Sequence, residues 1–130
     1  MATLTVFTPA YNRAHTIWRT YESLCRQTCK DFEWLVVDDG STDNTRELVK
    51  SWLKDVSDSN DNGSAFEGYS ENGFRVRYIW KENGGLHTGY NTAYANTDTE
   101  LCVCIDSDDW MPDDAVEKIL NCWREKGSDR

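Results

Sequence analysis

No stretch of this chain stays apolar for long. The longest uninterrupted run is Leu101 to Ile105, against the ~20 residues that a membrane-spanning helix needs. The start, Met1-Ala2-Thr3-Leu4, lacks the basic and apolar regions of a secretion signal. Basic residues are scarce as well: 14 Lys and Arg stand against 23 Asp and Glu, for a formal charge of −9. That sign repels a phosphodiester backbone and excludes nucleic acid as a partner. Also missing is the two-residue cysteine knuckle of structural zinc sites, since the closest spacings are Cys25-x3-Cys29 and Cys102-x-Cys104. The five cysteines read as reduced thiols, with Cys102 and Cys104 serving as small hydrophobes inside a buried strand. These absences predict a soluble cytoplasmic protein of one domain, with self-association and peripheral attachment to the inner face of a membrane left open.

What is present alternates in type along the chain. Residues 3–8 are β-branched and aromatic and predict a strand that stops at Pro9, which has no N–H to give a sheet ladder. Ile17, Tyr21, Leu24 and Cys25 fall at helical spacing within 15–26. The run 33–37 is apolar on both faces, as a central parallel strand must be. A helix over 44–53 follows, capped by Ser41, Thr42 or Asp43, with Leu48, Val49 and Trp52 facing inward. Residues 55–73 are rich in Ser, Asn, Asp and Gly and predict a polar surface loop. Strands over 75–80 and 101–105 and helices over 88–95 and 112–125 complete the pattern, the last opened by Pro112. Alternation of this kind predicts an α/β fold of three α/β/α layers around a mostly parallel sheet.

In such sheets the ligand sits beyond the carboxyl ends of the strands. Polar clusters follow each predicted strand: Pro9 to Asn12, Asp38 to Ser41, Asn83 to Gly85 and Asp106 to Asp109. Taken singly, the first two read as turns or helix caps and the third as a glycine loop. The last is harder to explain by structure alone. Three carboxylates within four residues repel one another unless a cation or a hydrogen-bonding ligand compensates them. A metal site for an anionic substrate is the prediction. His87 reads first as a capping or packing residue, and Tyr90 with Tyr94 as a packed face.

Read together, Val6-Phe7-Thr8-Pro9-Ala10-Tyr11-Asn12-Arg13, Gln27-Thr28, Asp31-Phe32-Glu33, Val36-Val37-Asp38-Asp39-Gly40-Ser41-Thr42-Asp43, Glu82-Asn83-Gly84-Gly85 and Ile105-Asp106-Ser107-Asp108-Asp109 resemble the nucleotide-binding half of family 2 glycosyltransferases with the GT-A fold. The resemblance implies a nucleotide-diphospho-sugar donor, most simply a UDP-sugar, contacted by Pro9, Tyr11, Asn12, Arg13, Asp38, Asp39, Asn83, Gly84, Gly85, Asn91, Asp106 and Ser107. Asp39 would accept the N3 proton of uracil. Asp106 and Asp108 would hold Mg²⁺ or Mn²⁺ across the two phosphates, with Asp109 orienting a ligand. Asn91 follows Tyr90, where the family often has Arg, so that contact departs from the pattern. The acceptor, a saccharide or a lipid-linked sugar, and the catalytic base of an inverting reaction are expected beyond Arg130, in a longer enzyme of which this chain is the donor-binding part. A receiver-type or flavodoxin-like module would draw its acid pocket on the end of the first strand, and a nucleotidyltransferase would carry a basic glycine-rich loop there. Thr8-Pro9-Ala10-Tyr11 fits neither.

Overall fold

A computed structural model of the protein describes residues 3–58, 65–81, 99, 101–107 and 109–126. Its elements are β1 (Leu4–Ala10), α1 (Ile17–Cys25), β2 (Phe32–Asp39), α2 (Thr45–Ser51), β3 (Lys54–Asp58), β4 (Ala65–Tyr69), β5 (Arg75–Lys81), β6 (Leu101–Cys104) and α3 (Ala115–Lys126). The strands form one mixed sheet in the order β3-β4-β5-β2-β1-β6. β5, β2, β1 and β6 run parallel, whereas β3 and β4 are antiparallel additions beside β5. The sheet and the mixed α/β class agree with expectation. The expected helix over 88–95 lies outside the described residues.

Alternation along the central strands sorts their side chains onto two faces. Leu4, Val6, Phe32, Trp34, Val36, Val76 and Tyr78 join Ile17, Tyr21 and Leu24 of α1, Val49 of α2 and Val116 and Leu120 of α3 in one buried cluster. All three of these helices therefore cover the same face. The opposite face carries the smaller buried group Phe7, Leu35 and Val37, with Ile79 packed against it. Both faces of β1 and β2 are thus apolar, which explains their near-continuous hydrophobic text.

A second compensation lies near the amino ends of the strands. Glu33 is buried, yet its two carboxylate oxygens lie 3.6 Å from Arg75 Nη1 and 3.6 Å from Arg77 Nη1. It also accepts a hydrogen bond from the Thr5 hydroxyl at 3.3 Å. Asp31 accepts from both the N–H and the hydroxyl of Thr3. A buried carboxylate without such partners would cost several kcal/mol.

Four expectations are corrected. First, β1 does not stop at Pro9 but runs through it to Ala10. Phe7 accepts the Ile105 N–H, so odd-numbered residues of β1 turn their backbone polar groups toward β6. β6 ends at Cys104, opposite Phe7, and Pro9 falls beyond that end, where no N–H is required. Second, the segment 55–73 is not simply a loop, because β3 and β4 occupy much of it. Phe66 is 1% exposed and stacks on Tyr78 with ring centroids 4.9 Å apart. Gly68 allows β3 to approach, since a Cβ there would lie 2.9 Å from the Lys54 carbonyl oxygen. The β4–β5 turn is closed by bonds between Ser70 and both Gly73 and Phe74, with Gly73 at φ +96°. Third, Cys102 and Cys104 are exposed, whereas Leu101 and Val103 pack against the core. Among the described residues β6 packs only the Leu101 and Val103 face against the core, and the Cys102 and Cys104 face is open. Fourth, α3 begins at Ala115, and Pro112 instead accepts the Ala115 N–H at 3.0 Å in the preceding turn.

Phe66→Ala tests the second correction. A core position predicts a loss of about 3 to 5 kcal/mol in denaturant unfolding, whereas a residue of a solvated loop would change stability by no more than about 0.5 kcal/mol.

Candidate functional site

The parallel strands all end on one side of the sheet: β1 at Ala10, β2 at Asp39, β5 at Lys81 and β6 at Cys104. β1 has β2 on one side and β6 on the other, so the order reverses beside it and opens a crevice. The loops that rim this crevice are joined to one another by side chains.

Asn12 makes the principal junction. It adopts φ +52°, a left-handed conformation that asparagine tolerates better than most residues. Its N–H donates to the Ser41 hydroxyl at 2.8 Å, while its side-chain oxygen accepts the N–H groups of Thr42 at 2.7 Å and Asp43 at 3.2 Å. Ala14 N–H donates to Asp43 at 3.2 Å. Burial alone would raise the Asp43 carboxyl, but the Thr45 hydroxyl and N–H and the Ala14 N–H outweigh it and hold the group below its ordinary value. The loops after β1 and β2 are therefore one unit.

The paired aspartates differ in environment. Asp38 is fully buried, and it accepts the Ser41 N–H at 2.8 Å and the Tyr78 hydroxyl. Burial, then the Asp38 charge and the hydrogen bond to it, push the Tyr78 phenol far up, so Tyr78 remains a neutral donor. Asp39 points to the opposite face, where Lys81 Nζ lies 2.6 Å from its Oδ1. Gly40 at φ +83° supplies the backbone turn that follows.

The acidic turn after β6 is anchored from α1. The Thr20 hydroxyl lies 2.6 Å from the Asp109 carbonyl oxygen and 3.3 Å from that of Asp106. Asp109 N–H closes the turn onto the Asp106 carbonyl at 3.0 Å. Gln27, 2% exposed, donates to the Pro112 carbonyl at 2.7 Å and accepts the Val116 N–H at 3.0 Å, holding the chain between the acidic turn and α3. Ser107 is buried, whereas the Asp106 and Asp109 side chains are exposed. Pro9 is half-buried at the rim, Arg13 is exposed, and Tyr11 presents an aromatic ring that is 47% exposed. Asn83, Gly84, Gly85, Asn91 and Asp108 lie outside the described residues, as does His87.

The residues that shape this edge but that sequence reasoning passed over are Thr20, Tyr78 and Lys81. Gln27 was visible only as part of a matching text. None stands in a distinctive local pattern, because each bonds across the fold to residues 40 to 89 positions away in sequence. Among the described residues no three His, Cys, Asp or Glu side chains converge as a metal cage. Asp106 nonetheless offers a hard oxygen donor of the type that Mg²⁺ and Mn²⁺ take, and such cations commonly share one or two carboxylates with substrate phosphates.

Asn12→Gly keeps the φ +52° conformation available and deletes only the amide. The loss of its side-chain bonds to Thr42 and Asp43 predicts a destabilisation of about 1 to 3 kcal/mol in chemical unfolding; an unchanged midpoint would show that the amide contributes nothing to the junction.

The family model described as glycosyl transferase family 2 matches residues 5–129. A chondroitin synthase of Pasteurella multocida is 34% identical over 117 residues, an alignment covering 90% of this chain and 10% of that protein. Among solved structures, S. aureus TarS 1-349 in complex with UDP superposes with a TM-score of 0.74 at 26% identity, covering 96% of this chain and 32% of that one. The mannosyltransferase PcManGT of Pyrobaculum calidifontis, in complex with GDP-Man and Mn²⁺, gives 0.66 at 25% identity, covering 85% of this chain and 28% of that one. The chain spans only 10 to 17% of the length of curated relatives it matches. With its strand-end crevice, its sheet order and a family match over nearly its whole length, the chain belongs to glycosyl transferase family 2.

Proposed function

We propose that this chain is the donor-binding part of a glycosyltransferase that takes its sugar from a UDP-sugar with the help of a divalent cation. The observation that carries the reading is the meeting, at one sheet edge, of a cross-braced pair of loops after β1 and β2 with an acidic turn after β6. UDP in the TarS complex supports the nucleotide, and Mn²⁺ in the PcManGT complex supports the metal.

In this reading the base lies against Pro9 and the Tyr11 ring, and Asp39 accepts the N3 proton of uracil. Arg13, exposed at the rim, meets the phosphates. Asp38 and Asn12 contribute by shaping the loops, since their polar atoms bond to Ser41, Tyr78, Thr42 and Asp43. Asn83, Gly84, Gly85, Asn91 and Ser107 complete the donor contacts. Asp106 and Asp108 hold Mg²⁺ or Mn²⁺, which when bound neutralises charge developing on the departing nucleoside diphosphate. Thr20 fixes the backbone from which Asp106 projects.

The reaction is inverting: an acceptor hydroxyl attacks the anomeric carbon in line as a base removes its proton. No residue of the chain is assigned as that base. The acceptor is a saccharide or a lipid-linked sugar, a class supported by the chondroitin synthase among the relatives. Among the described residues no helix is long and apolar enough to cross a membrane; the reaction is placed in the cytoplasm, where nucleotide sugars are available.

Calorimetric titration of UDP with and without Mn²⁺ tests the proposal. Binding should strengthen at least about tenfold with metal, equivalent to 1.4 kcal/mol, and Asp106→Ala should remove that gain while leaving metal-free binding unchanged. Equal affinities with and without Mn²⁺ in the folded protein would refute the metal-bridged site.

A further inference from the structure

Two tryptophans stand well exposed outside the donor crevice: Trp18 on α1 at 42%, and Trp110, which directly follows Asp109, at 62%. They line one groove of 280 Å³ together with Arg19, Glu22 and Arg26. A second groove of 460 Å³ shares Trp18, Glu22 and Arg26 and adds Trp52 and Glu71. Trp18, Glu22 and Arg26 recur at every fourth position along α1 and its C-cap, so the two grooves flank one exposed ridge. Each groove is many times the ~30 Å³ share of a single water.

The aromatic rings of this tract are fixed in place. Trp18 Nε1 donates to the His15 carbonyl at 3.1 Å, and the Arg19 guanidinium lies over the Trp18 ring, 5.6 Å from its centroid. Trp52 stacks on Tyr21 with centroids 4.5 Å apart. Rings ordered before binding give contact area at little cost in conformational freedom.

We propose that this tract is a docking site for a neutral saccharide chain and holds the acceptor beside the donor crevice. The inference rests on the proposed function only for the acceptor's being a saccharide. A sugar ring has an apolar C–H face and a rim of hydroxyls, and the tract offers the complement: indole planes bordered by the donors of Arg19 and Arg26 and the acceptors of Glu22 and Glu71. A protein interface gathers its aromatics into a core depleted of charge, whereas here charged side chains line the same grooves as the rings. Two arginines against two glutamates, with Asp113 3.4 Å from Arg26, leave no positive excess for a phosphate-rich ligand or an anionic membrane. The ion pairs of Arg26 with Asp113 and Glu22 are exposed and contribute little, so exchanging them for hydroxyl partners costs little. The Asp109 carbonyl is bonded to Thr20 of α1, which ties the Trp110 end of the tract to the turn that carries Asp106.

The test titrates two uncharged probes, chitotetraose and cellotetraose, into ¹⁵N-labelled protein and follows the indole N–H signals, assigned with Trp18→Phe and Trp110→Phe. At least one probe should bind with a Kd of about 10 mM or tighter, moving the Trp18 and Trp110 signals while that of the fully buried Trp34 stays. Trp18→Ala and Trp110→Ala should each weaken that binding at least about fivefold and leave UDP affinity unchanged. Tyr69→Ala, which removes an exposed ring from a different cavity, should alter neither. Both tryptophans are exposed, so the variants should fold, and thermal melting checks this. If UDP binds with Mn²⁺ and neither tetrasaccharide does, the inference fails and the donor reading stands. If a tetrasaccharide binds at the tryptophans and UDP does not bind, the inference stands and the donor reading fails. Saccharide binding that survives both alanine substitutions lies elsewhere and overturns the inference. A dimer in sedimentation that Trp110→Ala dissociates, with no saccharide binding, would also overturn it and make the tract an interface between copies of the chain.

Discussion

The left-handed turn at Asn12 is the constraint on which the rest of the site depends. It aims one amide oxygen at two successive N–H groups of the next loop and brings its own N–H to Ser41. Ser41 in turn donates its N–H to Asp38, which accepts the Tyr78 hydroxyl from β5. Strand ends that would otherwise be independent loops are thereby joined into one rim across β1, β2 and β5. Preorganisation of this kind lowers the ordering cost of binding a flexible nucleotide.

The same edge shows how an acidic chain manages its charge. Asp38 is answered by neutral donors, Asp39 by Lys81 and Glu33 by Arg75 and Arg77. Among the described residues, Asp106 has no ion-pair partner, although its backbone is pinned by Thr20 and its own turn. A rigid backbone that presents a carboxylate to solvent at the strand-end crevice suits the proposed role, in which a cation would lie between that carboxylate and a phosphate that it would otherwise repel. Among the described residues, Glu33 and Asp39 of the sheet are held in ion pairs, whereas Asp106 at the rim faces solvent.

How much of this could be read in the sequence depended on the range of the interaction. β1, β2, β5 and β6 were legible because burial on one or both faces leaves a local text of Val, Ile, Leu and aromatics. The strand-end clusters were legible because turn-forming and acidic residues adjoin those runs. The antiparallel pair β3 and β4 was hidden by polar residues, although Asn72-Gly73 before Phe74 is a hairpin signal that could have exposed β4. The exposure of Cys102 and Cys104 was hidden for the opposite reason, since an apolar run does not say whether one face of its strand is covered or both. Thr20 bonding to Asp106 and Asp109, and Lys81 to Asp39, are properties of sheet order and crossover, which no short window contains.

The most direct measurement is a crystal structure of the protein grown with UDP and Mn²⁺. The account predicts the uracil against Pro9 and Tyr11 with its N3 at Asp39, and the diphosphate joined through the metal to the turn at Asp106. A nucleotide bound elsewhere, or bound at this edge with Asp106 contacting neither metal nor phosphate, would contradict it.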